Sequence, residues 1–314
     1  MASFSACSRH TMTPSTSAKG YLLALSATVL WSTTFPLARL IAFSMSPVEL
    51  AFWRWLFTFS CMLPFGFVAV KNNRPALKKN WKWILAAGVL GFSMYSILMF
   101  EAGRTTDATN MSLIAATAPV FMAFFAIAFL HERLSFPQIL GLVIAVIGVL
   151  VLVLKGEFHR FSDLSFTIGD LWMLLAASLF AVYSILVRKR PGTMPQKALM
   201  TAMLAFGFFA LCPLMAAEAM ATDWHFPDGQ TLWIIFYIAV IPTLIGYLLW
   251  NRSVEYIGAA RAGIVYYSIP LFSSLEAVIL LHETVSMPQI VGGLMIIGGI
   301  LLSSLNVLRQ LIRH

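Results

Sequence analysis

Long apolar stretches separated by short polar ones dominate the pattern along the chain. Ten apolar segments can be marked, at about 20–42, 47–70, 82–102, 107–130, 137–155, 169–188, 196–219, 231–251, 259–281 and 287–308. A helix needs about 20 apolar residues to cross the hydrocarbon core of a bilayer. A transmembrane β-barrel would instead show short alternating segments, and the sequence has none. The pattern predicts an all-α integral membrane protein with ten transmembrane helices.

Composition agrees with a place in the lipid bilayer. Of the 314 residues, 60% are apolar and 11% are charged, whereas a soluble domain carries roughly a quarter charged residues. The three cysteines, Cys7, Cys61 and Cys212, have no spacing typical of a disulfide framework or a metal site. We therefore expect no cofactor and no metal. The net charge of +8 is explained by membrane topology, because Lys and Arg collect in cytoplasmic loops. It does not indicate a surface that binds nucleic acid.

The Lys and Arg residues predict an orientation. With the N-terminus placed inside, sixteen of them lie in inner segments, against four in outer segments, namely Arg39, Arg104, Lys155 and Arg160. Such a bias marks the cytoplasmic side of membrane proteins, so both termini are predicted to be cytoplasmic. Residues 1–19 lack the basic start, short apolar stretch and cleavage site of a signal peptide. We expect them to form a disordered cytoplasmic tail.

The two halves of the chain repeat each other. Residues 130–141 read LHERLSFPQILG, and residues 281–292 read LHETVSMPQIVG. An offset of 151 aligns these stretches without a gap, and an offset of 149 aligns the starts of the halves, where Gly20 meets Gly169. Each half then holds five spans. Because five is odd, the second half enters the membrane from the opposite side and is inverted relative to the first. Inverted repeats are typical of alternating-access transporters, whose substrate site lies near the midplane between the halves.

The repeated segments resemble a known family. The stretch NRSVEYIGAARAGIVYYSIPLFSSLEAVILLHETVSMPQIVGGLMIIGGILL (251–302) is similar to the second half of EamA-type members of the drug/metabolite transporter superfamily. WSTTFPLAR (31–39), Arg54 and ATAPVFMAFFAIAFLHERLSFPQILG (116–141) are similar to the first half. The resemblance implies a ten-helix transporter of small organic molecules, often an exporter of amino acids or related metabolites. It divides the chain into a first EamA repeat at 20–155 and a second at 169–308.

The family resemblance also implies where substrate binds. In EamA-type proteins the first, third, fourth, sixth, eighth and ninth helices broadly surround the central cavity. Tyr and Trp offer a flat apolar face and one polar group, which suits amphipathic organic substrates. The candidate cavity residues on these helices are Trp31, Thr34, Tyr95, Asn110, Thr117, Tyr183, Trp250, Tyr266 and Tyr267. Asn110 and Thr117 are seven residues apart, so we expect them to share a helix face.

Arg54 and Glu276 are charged residues inside predicted spans. Ionised groups are costly there, and they usually face a cavity or each other. Counted along their spans, the two residues lie at depths that agree to within about one helical turn. Arg54 fits the family pattern, whereas Glu276 stands where the family usually has a small or apolar residue. Glu276 is therefore either a cavity group for specificity or proton coupling, or a structural partner of Arg54. A cavity role predicts that Glu276→Gln alters transport or its pH dependence.

Two further sets of residues repeat at equivalent places. Pro119 and Pro270 lie in the middle of the fourth and ninth spans, where a proline removes one backbone hydrogen bond and kinks a helix. These kinks act either as hinges or as static bends. The second set consists of glycines seven residues apart, which place a small face on one side of each helix: Gly141, Gly148, Gly292 and Gly299. Such faces pack either within the bundle or at a homodimer contact.

Sequence motifs distinguish among the function classes open to such a membrane protein. All six histidines lie in tails, turns or loops, and the sequence has no HExxH or GxSxG motif, which argues against an intramembrane enzyme. The expected function is an alternating-access transporter in a bacterial inner membrane that exports a small polar or amphipathic metabolite such as an amino acid. The alternatives are an importer, a proton antiporter of an organic cation or another metabolite, and a non-transporting scaffold. The expected partners are the small-molecule substrate and the lipid bilayer.

Overall fold

The computed structural model describes most of the chain. The described residues are 14–34, 43–105, 114–131, 134–153, 167–190, 194–222, 225–272 and 287–303, together with the single positions 37, 41, 111 and 275. Within this part of the chain, the residues form helices joined by turns and short connections, with no strand.

Ten helical segments follow one another in the described residues. They are α1 (Pro14–Ser32), α2 (Pro47–Asn72), α3 (Trp81–Thr105), α4 (Ala118–Leu130), α5 (Phe136–Val153), α6 (Ile168–Arg188), α7 (Gln196–Ala221), α8 (Gly229–Ile257), α9 (Ala259–Tyr266) and α10 (Met287–Ser303). A short helix, Arg74–Lys79, lies between α2 and α3. Five of the ten, α2, α3, α6, α7 and α8, are 21 to 29 residues long and apolar enough to cross a membrane. Their order matches the predicted spans.

Side-chain caps fix where α2 and α6 begin. Ser46 and Glu49 form a capping box at α2, and Thr167 and Asp170 form one at α6. In each box the first residue accepts a hydrogen bond from the third helical N–H, and the acidic side chain accepts one from the cap N–H. The first turn of each helix thereby satisfies donors that would otherwise have no partner.

Ser135 and Gln138 have the spacing of a capping box at the start of α5, and this box is half formed. Gln138 Oε1 accepts a 2.8 Å hydrogen bond from the Ser135 N–H, but the Ser135 hydroxyl is buried without a partner among the described residues. The equivalent Ser286 lies outside the described residues.

Helix α8 begins at an acidic cap, Asp228. Hydrogen bonds from the Thr231 hydroxyl and N–H lower the pKa of the Asp228 carboxyl.

The repeated glycines pack α5 against α10. A Cβ added at Gly141 would lie 2.5 Å from the carbonyl oxygen of Gly299, and one at Gly148 would lie 2.8 Å from that of Gly292. The two backbones therefore touch, as small residues allow in lipid. Because the earlier glycine of α5 meets the later glycine of α10, the two helices run antiparallel. This pairing places the glycine faces inside the bundle and confirms that the repeats are inverted.

Helices α3 and α8 each contain a π-helical stretch at equivalent places in the repeat. Val89–Met94 lies in α3 and Ala239–Ile245 lies in α8. In α8 the stretch contains Pro242, which has no N–H for an α-helical hydrogen bond. The equivalent residue in α3 is Gly91, where a Cβ would lie 2.2 Å from the ring of Tyr183. Single π turns are rare and often occur at functional sites, and sequence reasoning missed both.

The fourth and ninth spans are each interrupted beside their proline, just before α4 begins and just after α9 ends. Backbone turns occur at 116–117, just before Pro119, and at 267, just before Pro270. The Thr117 N–H bonds to the carbonyl of Ile114 at 2.9 Å, which is the tighter spacing of a 3₁₀ turn. The helix of the ninth span continues at 268–272 after its turn. Both halves thus carry the same interruption, and the use of either proline as a hinge stays a prediction.

The two repeats interlock instead of lying side by side. Helix α1 of the first half packs on α8 and α9 of the second, and α6 of the second half packs on α3 and α4 of the first. Helix α2 packs along α7, where a Cβ at Gly66 would collide with the side chain of Thr201. The groups α1–α8–α9 and α6–α3–α4 therefore enclose the space between them from opposite sides.

Candidate functional site

A small cavity lies between these two groups. It is lined by Trp31, Thr34, Arg54, Tyr95, Met99, Phe180, Tyr247 and Tyr266. The space open to a water-sized sphere is only about 20 Å³, which is room for about one water molecule. An organic metabolite does not fit in this volume. The cavity is therefore narrow in this structure.

The cavity wall is mostly aromatic and centres on Trp31. Its indole packs within 5.2 to 5.9 Å, between ring centroids, of Phe180, Tyr247, Trp250 and Tyr266. A Cβ at Gly246 of α8 would lie 2.5 Å from Trp31 Nε1, so this glycine leaves the room for the indole. Interlocked rings of this kind form a rigid wall with polar edges.

Arg54 supplies the one cationic side chain among the lining residues. It is 3% exposed, and its Nε donates a 2.8 Å hydrogen bond to Thr243 Oγ1. Its guanidinium carbon lies 5.4 Å from the centre of the Trp55 ring. The Nη1 nitrogen is buried without a hydrogen-bond partner, and no carboxylate of the described residues forms an ion pair with it. A buried cation with an unused donor is a candidate for binding an anionic group.

Helix α2 is held to both π-helical stretches around Arg54. Trp55 Nε1 donates to the carbonyl oxygen of Phe92 at 3.1 Å and to Ser96 Oγ at 2.9 Å on α3. Thr58 Oγ1 donates to the carbonyl oxygen of Ala239 at 3.1 Å on α8. The π-helical stretches thus expose carbonyl groups that α2 binds, and this fixes the depth and direction of Arg54.

Five of the eleven sequence-predicted site residues line the cavity: Trp31, Thr34, Arg54, Tyr95 and Tyr266. Trp250 and Tyr183 are fully buried in the layer behind it. Trp250 packs on Trp31, and the Tyr183 ring lies 5.6 Å from that of Tyr247. These two residues support the cavity wall without lining the cavity.

The remaining predicted residues have other positions. Tyr267 lies outside the cavity, in an apolar cluster with Ala145 and Ile296 on α5 and α10. The reason is that successive residues of a helix point about 100° apart, so Tyr266 and Tyr267 cannot share one wall. Thr117 uses its hydroxyl locally, in a 2.6 Å bond to the carbonyl of Ile114. Asn110 and Glu276 lie outside the described residues.

Sequence reasoning missed three lining residues, Met99, Phe180 and Tyr247. The repeat carried a signal for Phe180, because the offset of 149 aligns it with Trp31. Met99 carries no polar group that would distinguish it from a packing residue. Tyr247 lies one position after Gly246, and its hydroxyl donates to the carbonyl of Gly91 at 3.1 Å. It is thus anchored by a π-helical carbonyl that no sequence pattern predicts.

Hydrogen bonds between α6 and α8 close the predicted cytoplasmic side of the cavity. Tyr183 Oη donates to Asn251 Oδ1 at 2.7 Å, and Trp250 Nε1 donates to Ser184 Oγ at 3.2 Å. Closer to the surface, Glu255 pairs with Arg190 and, at 2.9 Å, with Arg252, while Arg188 donates to the Glu255 carbonyl at 2.7 Å. Helix α6 belongs to one packing group and α8 to the other, so these bonds join the two groups.

Ten membrane helices in two inverted, interlocked repeats around a central cavity define a membrane transporter. The chain belongs to the EamA-like transporter family, whose model matches residues 18–154 and 167–305. A solved crystal structure shares the fold, with a TM-score of 0.75 at 19% sequence identity, and the match covers 93% of this chain and 98% of that one.

Several relatives carry transporter names. The uncharacterized transporter YyaM of Bacillus subtilis is 24% identical over 287 residues, which are 90% of this chain and 93% of the relative. A probable terminal-alkyne amino-acid exporter of Streptantibioticus cattleyicolor is 28% identical over 282 residues, or 87% of this chain and 89% of the relative. The uncharacterized inner membrane transporter YicL of Salmonella typhimurium is 27% identical over 306 residues, 93% of this chain and 97% of the relative.

Proposed function

We propose that this transporter exports a small zwitterionic metabolite of the amino-acid class by alternating access. The observation that carries the proposal is the unpartnered Nη1 of Arg54, buried in the wall of the central cavity. In this reading Arg54 binds the carboxylate of the substrate, and the aromatic wall receives the rest of the molecule. The two repeats, residues 20–155 and 169–308, each contribute helices to both packing groups, and relative movement of the groups α1–α8–α9 and α6–α3–α4 opens the cavity.

A carboxylate suits the free edge of Arg54. The guanidinium keeps its positive charge in the membrane and offers donors in a planar fork that matches a carboxylate. Nε is already used by Thr243, so the substrate takes the Nη1 side. A charge-assisted hydrogen bond of this type contributes about 1.5–3 kcal/mol, which corresponds to roughly 10- to 150-fold in affinity.

The ring faces suit an ammonium group and an apolar side chain. Trp and Tyr faces attract cations, with Trp the strongest, and Trp31 lies beside Tyr247 and Tyr266 in the wall. The same rings favour the alternative substrate, an organic cation without a carboxylate. Such a cation would be repelled by Arg54, and this repulsion favours the zwitterion.

Export from a bacterial inner membrane, with both termini in the cytoplasm, is the direction and place that we propose. The sixteen-to-four distribution of basic residues supports the orientation. The name of YicL as an inner membrane transporter supports the place, and the name of the amino-acid exporter from Streptantibioticus supports both substrate class and direction. Because the cavity holds about one water, the cycle must include a wider state, and Pro119 and Pro270 are the proposed hinges.

Proteoliposomes provide the test, with a pair of substrates that differ only in the carboxylate. Uptake or counterflow of a panel of radiolabelled amino acids is compared with that of the amines formed by removing the carboxyl group. We expect transport of at least one amino acid and little transport of its amine. Arg54→Gln should raise the KM for the amino acid at least tenfold, and Arg54→Lys should restore part of it.

Arg104→Gln is the matched control, because Arg104 is a half-exposed arginine at the opposite end of α3 from the basic connector. It should transport like the wild type. Preferred transport of the amine, or an unchanged KM in Arg54→Gln, would contradict the carboxylate assignment. Absence of flux for every solute in the panel would favour the alternative that the protein is a non-transporting scaffold.

A further inference from the structure

The connector between α2 and α3 is a strongly basic segment on the predicted cytoplasmic face. It reads KNNRPALKKNWK over residues 71–82 and contains no acidic residue. All five of its cations are exposed: Lys71, Arg74, Lys78, Lys79 and Lys82. None of them forms an ion pair with a described residue. The function proposed above makes no use of this charge.

This connector is folded and attached to the bundle. The side chain of Asn73 donates to the carbonyl of Ala69 at 2.8 Å where α2 ends, and Asn80 donates to that of Ala76 at 2.9 Å where the short helix ends. Between the two bends, Leu77 is 8% exposed and belongs to the hydrophobic core. The apolar side of the short helix is thus buried, and its cations stay outside at fixed positions.

The cations lie where lipid headgroups are expected. They adjoin the ends of two helices, α2 and α3, that are long and apolar enough to cross the membrane. Trp81 at the start of α3 is 45% exposed, and Lys82 Nζ lies 5.9 Å from its ring centre. Exposed Trp residues at helix ends mark the level of the membrane–water interface. The positive charges therefore face the phosphate layer and not the aqueous loops beyond it.

We propose that the basic connector, residues 71–82, is a binding site for the headgroups of anionic phospholipids. Clusters of four to eight Lys and Arg residues next to a membrane helix attract anionic lipid, each cation contributing about a fivefold preference. Because the segment is already folded, binding does not need to order its backbone. Since α2 carries Arg54 and α3 carries Tyr95, lipid bound here holds the ends of two cavity helices.

The test compares two double variants that each remove two exposed lysines from the same predicted face. Lys78→Gln/Lys79→Gln lies in the basic connector, and Lys189→Gln/Lys197→Gln lies outside it. The purified full-length proteins are placed in phosphatidylcholine nanodiscs, and phosphatidylglycerol is titrated in. Bound phosphatidylglycerol is counted by native mass spectrometry, with helicity from circular dichroism as the folding check. This readout involves no transported substrate, so it is independent of the function proposed above.

We expect the connector variant to bind phosphatidylglycerol about ten- to thirtyfold more weakly than the wild type and the control variant to bind it as the wild type does. High salt should reduce the difference, because it screens exposed charges. Equal binding by both variants would overturn the site. If soluble glycerol phosphate displaced bound phosphatidylglycerol as well as added lipid does, the lipid assignment would be overturned. Binding of an acidic peptide in preference to phosphatidylglycerol would also overturn it.

Discussion

The Nε of Arg54 donates a 2.8 Å hydrogen bond to the Oγ1 of Thr243, and this bond joins α2 to the π-helical stretch of α8. Thr243 is fully buried, and Arg54 is 3% exposed. The bond uses one edge of the guanidinium, while Nη1 is buried without a hydrogen-bond partner among the described residues and Arg54 lines the cavity. Thr243 thus acts as a positioning residue for the proposed carboxylate site.

Thr243→Val should weaken transport of the carboxylate substrate without unfolding the protein. The variant keeps the shape of the side chain but removes the acceptor for Arg54. Losing a hydrogen bond to a charged group costs about 1–3 kcal/mol, so KM should rise roughly 5- to 150-fold while the maximal rate changes little. Thr243→Ser keeps the hydroxyl and should restore the KM. A Thr243→Val protein with wild-type KM would show that Arg54 does not depend on this bond.

The ion pairs of Glu255 should bias the transporter against opening to the predicted cytoplasmic side. Glu255 binds Arg190 and Arg252 with a side chain that is 12% exposed. An exposed ion pair contributes little, whereas removing one partner of a buried pair costs several kcal/mol because the other charge is left unpaired. Glu255→Gln should therefore shift the equilibrium toward the open state by about tenfold, an intermediate effect for a partly buried pair.

A cysteine at Ser253 reports this opening. The Ser253 hydroxyl is buried without a hydrogen-bond partner among the described residues, so Ser253→Cys breaks no bond. In a protein lacking the natural cysteines, labelling by a membrane-impermeant thiol reagent from the cytoplasmic side should be faster with Glu255→Gln. Glu101→Gln is the control, because its 4.0 Å pair with Arg104 is exposed and lies on the other side. Unchanged labelling in Glu255→Gln would refute a closing role.

Close contact between α5 and α10 gives a prediction about stability. Gly141→Ala places a methyl group 2.5 Å from the carbonyl oxygen of Gly299, so the two backbones must separate. Overpacking of this kind typically costs about 1–3 kcal/mol. Gly298→Ala in α10 is the matched control, because its Cβ would meet no atom within 4 Å. Thermal unfolding in detergent should show a lower midpoint for Gly141→Ala alone. Equal midpoints would mean that the helices are farther apart.

Much of this fold could be predicted from the sequence, because the repeat and the apolar spans are regular over long distances. The offset of 151 alone predicts that Gly141 and Gly292 are equivalent, whereas the contact of Gly141 with Gly299 is a finding of the structure. Trp31 and Tyr266 could be placed at the cavity through the family resemblance, and Arg54 also because an ionised group inside a span usually faces a cavity or a partner. These features depend on the helix period and on the cost of polarity in lipid.

The rest depended on local backbone geometry that the sequence pattern does not contain. Tyr266 and Tyr267 are chemically alike, and the phase of α9 alone decides that Tyr267 points toward α5 and α10. The π-helical stretch of α3 has no proline to indicate it, since Gly91 stands at the position equivalent to Pro242. Tyr247 and its bond to the Gly91 carbonyl could not be predicted without that stretch.

The interruptions beside the paired prolines lead to the last prediction, on the transport cycle. Pro119→Ala restores a backbone N–H in the fourth span, where the turn at 116–117 now breaks the helix. Pro119 lies in the first turn of α4, where a proline costs the helix little. Its replacement should therefore leave stability nearly unchanged, while the restored N–H allows a continuous and stiffer helix through the turn. We expect the turnover rate to fall several-fold while KM and the unfolding midpoint are maintained. Pro64→Ala in the continuous helix α2 is the control, and it should transport normally. If Pro119→Ala and Pro270→Ala both turn over at the wild-type rate, the prolines are static bends and the hinge must lie elsewhere.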